Sequence, residues 1–111
     1  MEIIKSYPEE LDKKTKYRLM KSPESMKMSE AGNEPLKIKA WLLYTSEDFS
    51  TGEVKDVCTI MTEEGKIYST ISNTFIREFK DIVSIFGLDI DEIRVISRES
   101  KAGRRYITCT V

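Results

Sequence analysis

Ser72-Asn73-Thr74-Phe75-Ile76-Arg77-Glu78-Phe79-Lys80-Asp81-Ile82-Val83-Ser84-Ile85-Phe86-Gly87 is a stretch in which the apolar period lengthens from two residues to three or four. Phe75, Ile76, Phe79, Ile82, Val83 and Phe86 fall on one stripe of a helix. Ser72, Asn73 or Thr74 offers a side-chain oxygen to cap the first turn, and Gly87 ends the last. The spacing predicts a helix over 73–87, with Phe75, Phe79, Ile82, Val83 and Phe86 buried.

On either side of this helix the period is two. Leu36, Ile38, Ala40, Leu42 and Tyr44 alternate with Lys37, Lys39, Trp41 and Leu43, and a polar loop with Ser50, Thr51 and Gly52 follows. Val54 to Met61 is a second strand, and Glu63-Glu64-Gly65 turns the chain into a third, Lys66 to Ile71. Beyond Gly87, Ile93, Val95 and Ile96 build a fourth strand, Glu92 to Ser97. Ser100 to Gly103 makes a turn, and Arg104 to Val111 is the fifth. From residue 35 the order is strand, strand, strand, helix, strand, strand. That is the order of an OB-fold, a five-stranded Greek-key barrel with its helix between the third and fourth strands. The expected class is therefore mainly β with one helix, an OB-fold-like barrel over 35–111 carrying an N-terminal arm, 1–34, packed on it. In the arm, Pro8, Pro23 and Gly32 interrupt any period, and Tyr17 and Leu19 alternate with cations as in a short strand.

Composition narrows the function. At 111 residues the chain has room for one core. No apolar run approaches the roughly 20 residues that span a bilayer, and Met1 to Lys5 lacks a secretory pattern, so the expected location is the cytoplasm with no membrane partner. With no histidine and only Cys58 and Cys109, both in apolar strands, a zinc site of about four ligands is excluded and the cysteines read as buried free thiols. Acid–base chemistry would fall to the carboxylates of Glu47-Asp48, Glu63-Glu64 and Asp89, Asp91 and Glu92, all in or beside loops where solvation explains them. There is no phosphate-binding glycine loop and no nucleophile elbow. The expectation is a binding protein, not an enzyme, without metal or cofactor.

The formal net charge of −1 conceals strong segregation. Residues 13–28 hold six cations against Glu24, residues 94–105 hold five against Glu99, and residues 46–92 hold eleven acids against four cations. If Leu36, Ile38, Ala40 and Leu42 face the core, Lys37, Lys39 and Trp41 project together from the opposite face. Lys66 and Tyr68 share a face of the third strand, Arg104 and Tyr106 a face of the fifth, and Lys101 sits in the turn before Gly103, where a ligand can approach the backbone. Rings interleaved with cations suit a single strand of nucleic acid, since bases stack on rings while cations follow the phosphates. Outward lysines alone would mean no more than solubility. The combination makes Lys37, Lys39, Trp41, Lys66, Tyr68, Lys101, Arg104 and Tyr106 the candidate site; should Trp41 instead face inward, the basic stretch Lys13 to Lys21 is the next place to look.

Three stretches carry a resemblance: Thr15-Lys16-Tyr17-Arg18-Leu19 with Lys27-Met28-Ser29; Tyr68-Ser69-Thr70 through Ser72 to Phe79; and Ser100-Lys101-Ala102-Gly103-Arg104-Arg105-Tyr106-Ile107-Thr108-Cys109. Together they look like the small single-stranded-DNA-binding proteins of tailed phages and prophages of Gram-positive and gut bacteria, over nearly the whole chain. The resemblance implies an OB-fold and a role in shielding single strands during phage DNA replication; it supplies no site residues. The long acidic C-terminal tail of bacterial single-strand-binding proteins has no counterpart, since the sequence stops at Val111 inside the last strand, and recruitment through such a tail is not expected. RNA has the same chemistry and is not separated from DNA by the sequence. The alternative, from another class, is a phage inhibitor that binds a host enzyme or defence protein, with the acidic segment 46–92 mimicking DNA.

Overall fold

A computed structural model describes residues 2–22, 24–32 and 34–111. Its organising element is a long strand, β3 (Leu36–Glu47), which serves two sets of neighbours. Along one edge it pairs antiparallel with β4 (Val54–Thr62), which pairs with β5 (Ile67–Thr70). The other edge is divided. β1 (Glu2–Tyr7) takes Trp41 to Thr45, and β6 (Glu92–Glu99) takes Leu36 and Lys37 before pairing with β7 (Arg105–Thr110). A two-residue strand, β2 (Met26–Lys27), joins the outer edge of β5 in parallel. The path is β2-β5-β4-β3-β6-β7, with β1 branching from β3.

The result is a curled, mixed sheet forming a half-barrel, compatible with an OB-like arrangement. The expected run of three strands, helix and two strands from residue 35 is present as β3, β4, β5, the helix α2 (Asn73–Phe86), β6 and β7. The element count differs: seven strands and two α-helices occur among the described residues, where five strands and one helix were expected. Between β5 and β7 the gap is bridged by a side chain, the Ser72 hydroxyl donating to the Ile107 carbonyl at 3.4 Å. The short 3-10 turn Met28–Glu30 packs against both β5 and β6 and buries Met28 there.

α2 (Asn73–Phe86) forms as its sequence predicts. The Ser72 hydroxyl accepts from the Phe75 N–H at 3.3 Å, and Gly87, at φ 97°, ends the helix with its N–H on the Val83 carbonyl. Phe75, Ile76, Phe79, Ile82 and Val83 are buried against the sheet. Phe86 is a correction: it is 56% exposed, because the chain turns away at Gly87 and Leu88 and Ile90 fill the core instead.

β3 departs most from its sequence pattern. The register slips between Ile38 and Ala40, so Ile38 opposes Thr62 while Ala40 opposes Met61, and Lys39 is the extra residue of a bulge. One inserted residue reverses the alternation downstream. Leu36, Ile38, Trp41 and Leu43 therefore share the main core with the α2 stripe, Cys58, Ile60, Ile93 and Val95. Ala40, Leu42 and Tyr44 turn to the opposite face, where Val57, Met61 and Ile67 join them in a second core.

That second core is closed by α1 (Lys13–Lys21), through Leu19 with Leu11 and Met20 beside it. The strand expected around Tyr17 and Leu19 is thus a helix. Asp12 is its N-cap, accepting from the Thr15 N–H at 3.1 Å, and this holds the Asp12 carboxyl below its ordinary pKa. Alternation over so few residues fits either structure, but the neighbours Leu19 and Met20 both pack on the second core, as successive residues of a helix can and those of a strand cannot. Of the expected breakers in this segment, Pro23 lies outside the described residues.

Candidate nucleic-acid interface

The β6–β7 hairpin presents the clearest arrangement of rings and cations. Val95 and Cys109 are directly paired and point into the core, so the flanking pairs Arg94–Thr110, Ile96–Thr108 and Arg98–Tyr106 face out. Tyr106 is 36% exposed beside Arg98. The two border a hollow of about 390 Å³ that also takes in Thr108, Thr74 and Glu78. The turn is tight: Gly103, at φ 79°, donates to the Ser100 carbonyl, and Ser100 donates to the Arg104 carbonyl at 2.8 Å. Lys101, Arg104 and Arg105 project from it, all exposed.

Among the described residues the ion pairs are Lys55–Glu53, Lys66–Glu64 and Lys80–Asp56. Arg94, Arg98, Lys101, Arg104 and Arg105 thus have no carboxylate within 4.0 Å. Cations in this condition are available to a polyanion without breaking an existing pair.

Lys37, Lys66 and Tyr68 meet in a groove of about 640 Å³ between the start of β3 and the β4–β5 turn. Glu34, Glu63 and Glu64 line it too, and Lys66 already lies 3.8 Å from Glu64, so the groove has no excess of positive charge. Tyr68 is 6% exposed, which leaves little of it for a base; it was expected on the outer face and belongs to the main core. Lys39, at the bulge, is exposed and outside this groove.

Trp41 is the principal correction. Expected on the outer face with Lys37 and Lys39, it is fully buried, because the bulge at Lys39 rotates it inward. Its indole N–H donates to the Leu88 carbonyl at 2.9 Å, and its ring meets Phe79 edge-on with centroids 5.1 Å apart. A base cannot stack on this ring without opening the core. Tyr44 is buried, and burial pushes its hydroxyl pKa up.

The structure also shows two rings the sequence pattern did not single out. Phe49 is 98% exposed in the loop between β3 and β4. The loop is ordered by Asp48, whose carboxylate accepts from the Ser50 N–H at 2.9 Å and the Ser50 hydroxyl at 2.7 Å, lowering its pKa. The signal was present: a phenylalanine among Asp, Ser, Thr and Gly leaves apolar area in water with no strand or helix to bury it. Tyr17, on α1, is the other, at 65% exposure.

Cys58 and Cys109 are free and buried, and burial raises both thiol pKa values, that of Cys109 to about 12. Among the described residues no group of three or more His, Cys, Asp or Glu is placed to hold a metal, and no helix is long and apolar enough to cross a membrane.

On the β6–β7 hairpin one exposed ring, Tyr106, stands beside Arg98, and rings beside cations suit a flexible polyanion that carries flat bases. The family model described as phage single-stranded DNA-binding protein matches residues 2–111, and the chain belongs to that family, as the resemblance in its three stretches implied. No curated protein and no solved structure matches the chain.

Proposed function

We propose that this protein binds single-stranded DNA with little base preference and shields it during phage DNA replication, as an OB-like barrel acting by binding and not by catalysis. The observation that carries this reading is the β6–β7 hairpin, where Tyr106 sits directly across from Arg98 and, among the described residues, none of the five cations lies within 4.0 Å of a carboxylate. Taking β3 to β7 as the five barrel strands, the Phe49 loop joins the first and second, and the Lys101 turn joins the fourth and fifth. These are the two loops through which OB-folds contact oligonucleotides. Phe49 and Tyr106 then stack bases, while Arg98, Lys101 and Arg104 follow the phosphates. Lys37 and Lys39 add charge on the outer face of β3, Lys66 and Tyr68 border the groove below, and Trp41 acts from within by fixing β3 to α2.

The test is a fluorescence-anisotropy titration of labelled oligo-dT at several salt concentrations, with oligo-U as competitor. Affinity should fall with salt at a log–log slope of about −0.7 per phosphate neutralised. Phe49→Ala and Tyr106→Ala should each weaken binding while leaving that slope unchanged; Arg98→Ala and Arg104→Ala should flatten it. An unaltered protein that binds no oligo-dT at low salt would overturn the proposal. Competition by oligo-U at equal concentration would extend the ligand to RNA.

A further inference from the structure

We infer that α1 is a second contact surface for single-stranded DNA, with Tyr17 as its stacking ring; this rests on the function proposed above. The first observation concerns what α1 covers. In an OB-like barrel the outer face of the second and third strands is the usual oligonucleotide surface. Here that face, on β4 and β5, carries Val57, Met61 and Ile67, and it is sealed under Leu19 of α1 as part of the second core. A strand of DNA approaching this side meets the helix first.

The second observation concerns what α1 presents. Its nine residues, Lys-Lys-Thr-Lys-Tyr-Arg-Leu-Met-Lys, contain five cations and no acid. At 100° per residue, Lys13, Lys14, Tyr17 and Lys21 project within about 60° of the direction opposite Leu19. All four are exposed, Tyr17 by 65%. The adjacent acids are Glu9, Glu10 and Asp12 ahead of the helix and Glu24 after it; Asp12 is engaged as the cap, and none lies within 4.0 Å of these lysines among the described residues. The cation pairs one turn apart, Lys13–Lys16, Lys14–Arg18 and Arg18–Lys21, repel one another and destabilise the helix. A tyrosine left in water at their centre adds nothing to either core. A bound polyanion relieves the repulsion, and a base stacked on Tyr17 removes its exposed face from water.

The experiment compares unaltered protein, Tyr17→Ala, Tyr17→Phe and the triple variant Lys13→Gln, Lys14→Gln, Lys21→Gln against a long oligo-dT. These positions are exposed and the triple variant relieves repulsion, so the urea midpoints should lie at or slightly above the parent's, which serves as the control for folding. Tyr17→Ala should weaken binding about five- to a hundred-fold, the range expected of one lost stacking contact, and Tyr17→Phe should restore it. The triple variant should flatten the salt slope by up to about 2, or about 0.7 for each phosphate contact. Variants that bind like the unaltered chain, with the same slope, overturn this inference and leave the hairpin reading standing. An unaltered chain that binds no oligo-dT overturns both. Self-association lost in Tyr17→Ala with unchanged DNA affinity would assign the face to a second copy of the chain and likewise overturn it.

Discussion

Replacing Trp41 by phenylalanine tests whether the ring belongs to the core or to a ligand surface. Full truncation is a poor probe. Removing a buried tryptophan to alanine costs about 3–5 kcal/mol, and losing its edge-on contact with Phe79 adds about 0.5–1.5 kcal/mol. Against a typical domain stability of about 5–15 kcal/mol, such a variant risks not folding. Trp41→Phe keeps an aromatic ring at the contact and removes the indole N–H, leaving the Leu88 carbonyl without its 2.9 Å donor. An unpaired buried acceptor costs about 1–3 kcal/mol, and the smaller ring leaves a void worth about 1 kcal/mol more, so the loss should be about 2–4 kcal/mol. With a urea m-value of about 1–3 kcal/mol per molar, the unfolding midpoint measured by circular dichroism should fall by about 1 M or more at unchanged slope. Affinity for oligo-dT, measured well below that midpoint, should be unchanged, and the native tryptophan emission should resist iodide quenching with or without DNA. A Trp41→Phe protein as stable as the parent but weaker in binding would refute the core placement, as would strong quenching of Trp41 by oligo-dT.

Three further outcomes follow from packing and charge. Phe79→Ala, at a fully buried position stacked with Phe75, should lose about 3–5 kcal/mol in urea unfolding, whereas Phe86→Ala, at a mainly exposed position on the same stripe, should stay within about 1 kcal/mol. Cys58 and Cys109, buried with raised pKa values, should fail to react with a thiol reagent at pH 8 in the native state, and both should react in denaturant; fast native labelling of either would contradict its burial. The Asp12 carboxyl is held low by the Thr15 hydroxyl and N–H, so its contribution to stability is present above the unfolded pKa of about 4 and is lost as pH falls through the lower folded value. Asp12→Asn should therefore lose less stability between pH 5 and pH 2 than the parent, and parallel pH profiles for the two would refute the cap's role.

The parts of the fold legible in the sequence are those where several local signals agree. α2 combines a long apolar stripe, a serine cap and a glycine stop, and it forms within a residue of its expected bounds. The strands after it also read correctly, because Ile93 and Val95, and Ile107 and Cys109, alternate with residues that are less buried or exposed. α1 was missed because nine residues with one buried position give too little period to separate helix from strand. β3 was found as a strand and assigned the wrong faces. The sign of this was Ala40-Trp41-Leu42-Leu43-Tyr44, five apolar residues in succession, as expected of a strand covered on both sides. Reading them as an alternation with one exposed face required Trp41 to be outside. Nothing about Lys39-Ala40 announces a bulge, since neither is a glycine.

The same bulge explains why the expected site dispersed. Ala40 to Tyr44 make both faces of the upper half of β3 apolar, the bulge at Lys39 sends Trp41 and Leu43 to the side of α2, and each face needs a cover. α2 supplies one through Phe79 against Trp41, and α1 supplies the other through Leu19. A sheet covered on both faces at its centre has no open platform there for bases. Among the described residues the exposed rings lie on the covering and connecting elements: Tyr17 on α1, Phe49 on the β3–β4 loop, Phe86 at the end of α2 and Tyr106 on the β6–β7 hairpin. The cations divide in the same way, into the α1 group and the hairpin group, with the near-neutral groove of Lys37 and Lys66 apart from both. The charge segregation visible in the linear sequence, basic at 13–28 and 94–105 and acidic between, is thus the projection of this division onto the chain. A ligand that engages both groups must follow the periphery of the barrel, and its affinity should depend on the length of strand that reaches from one group to the other.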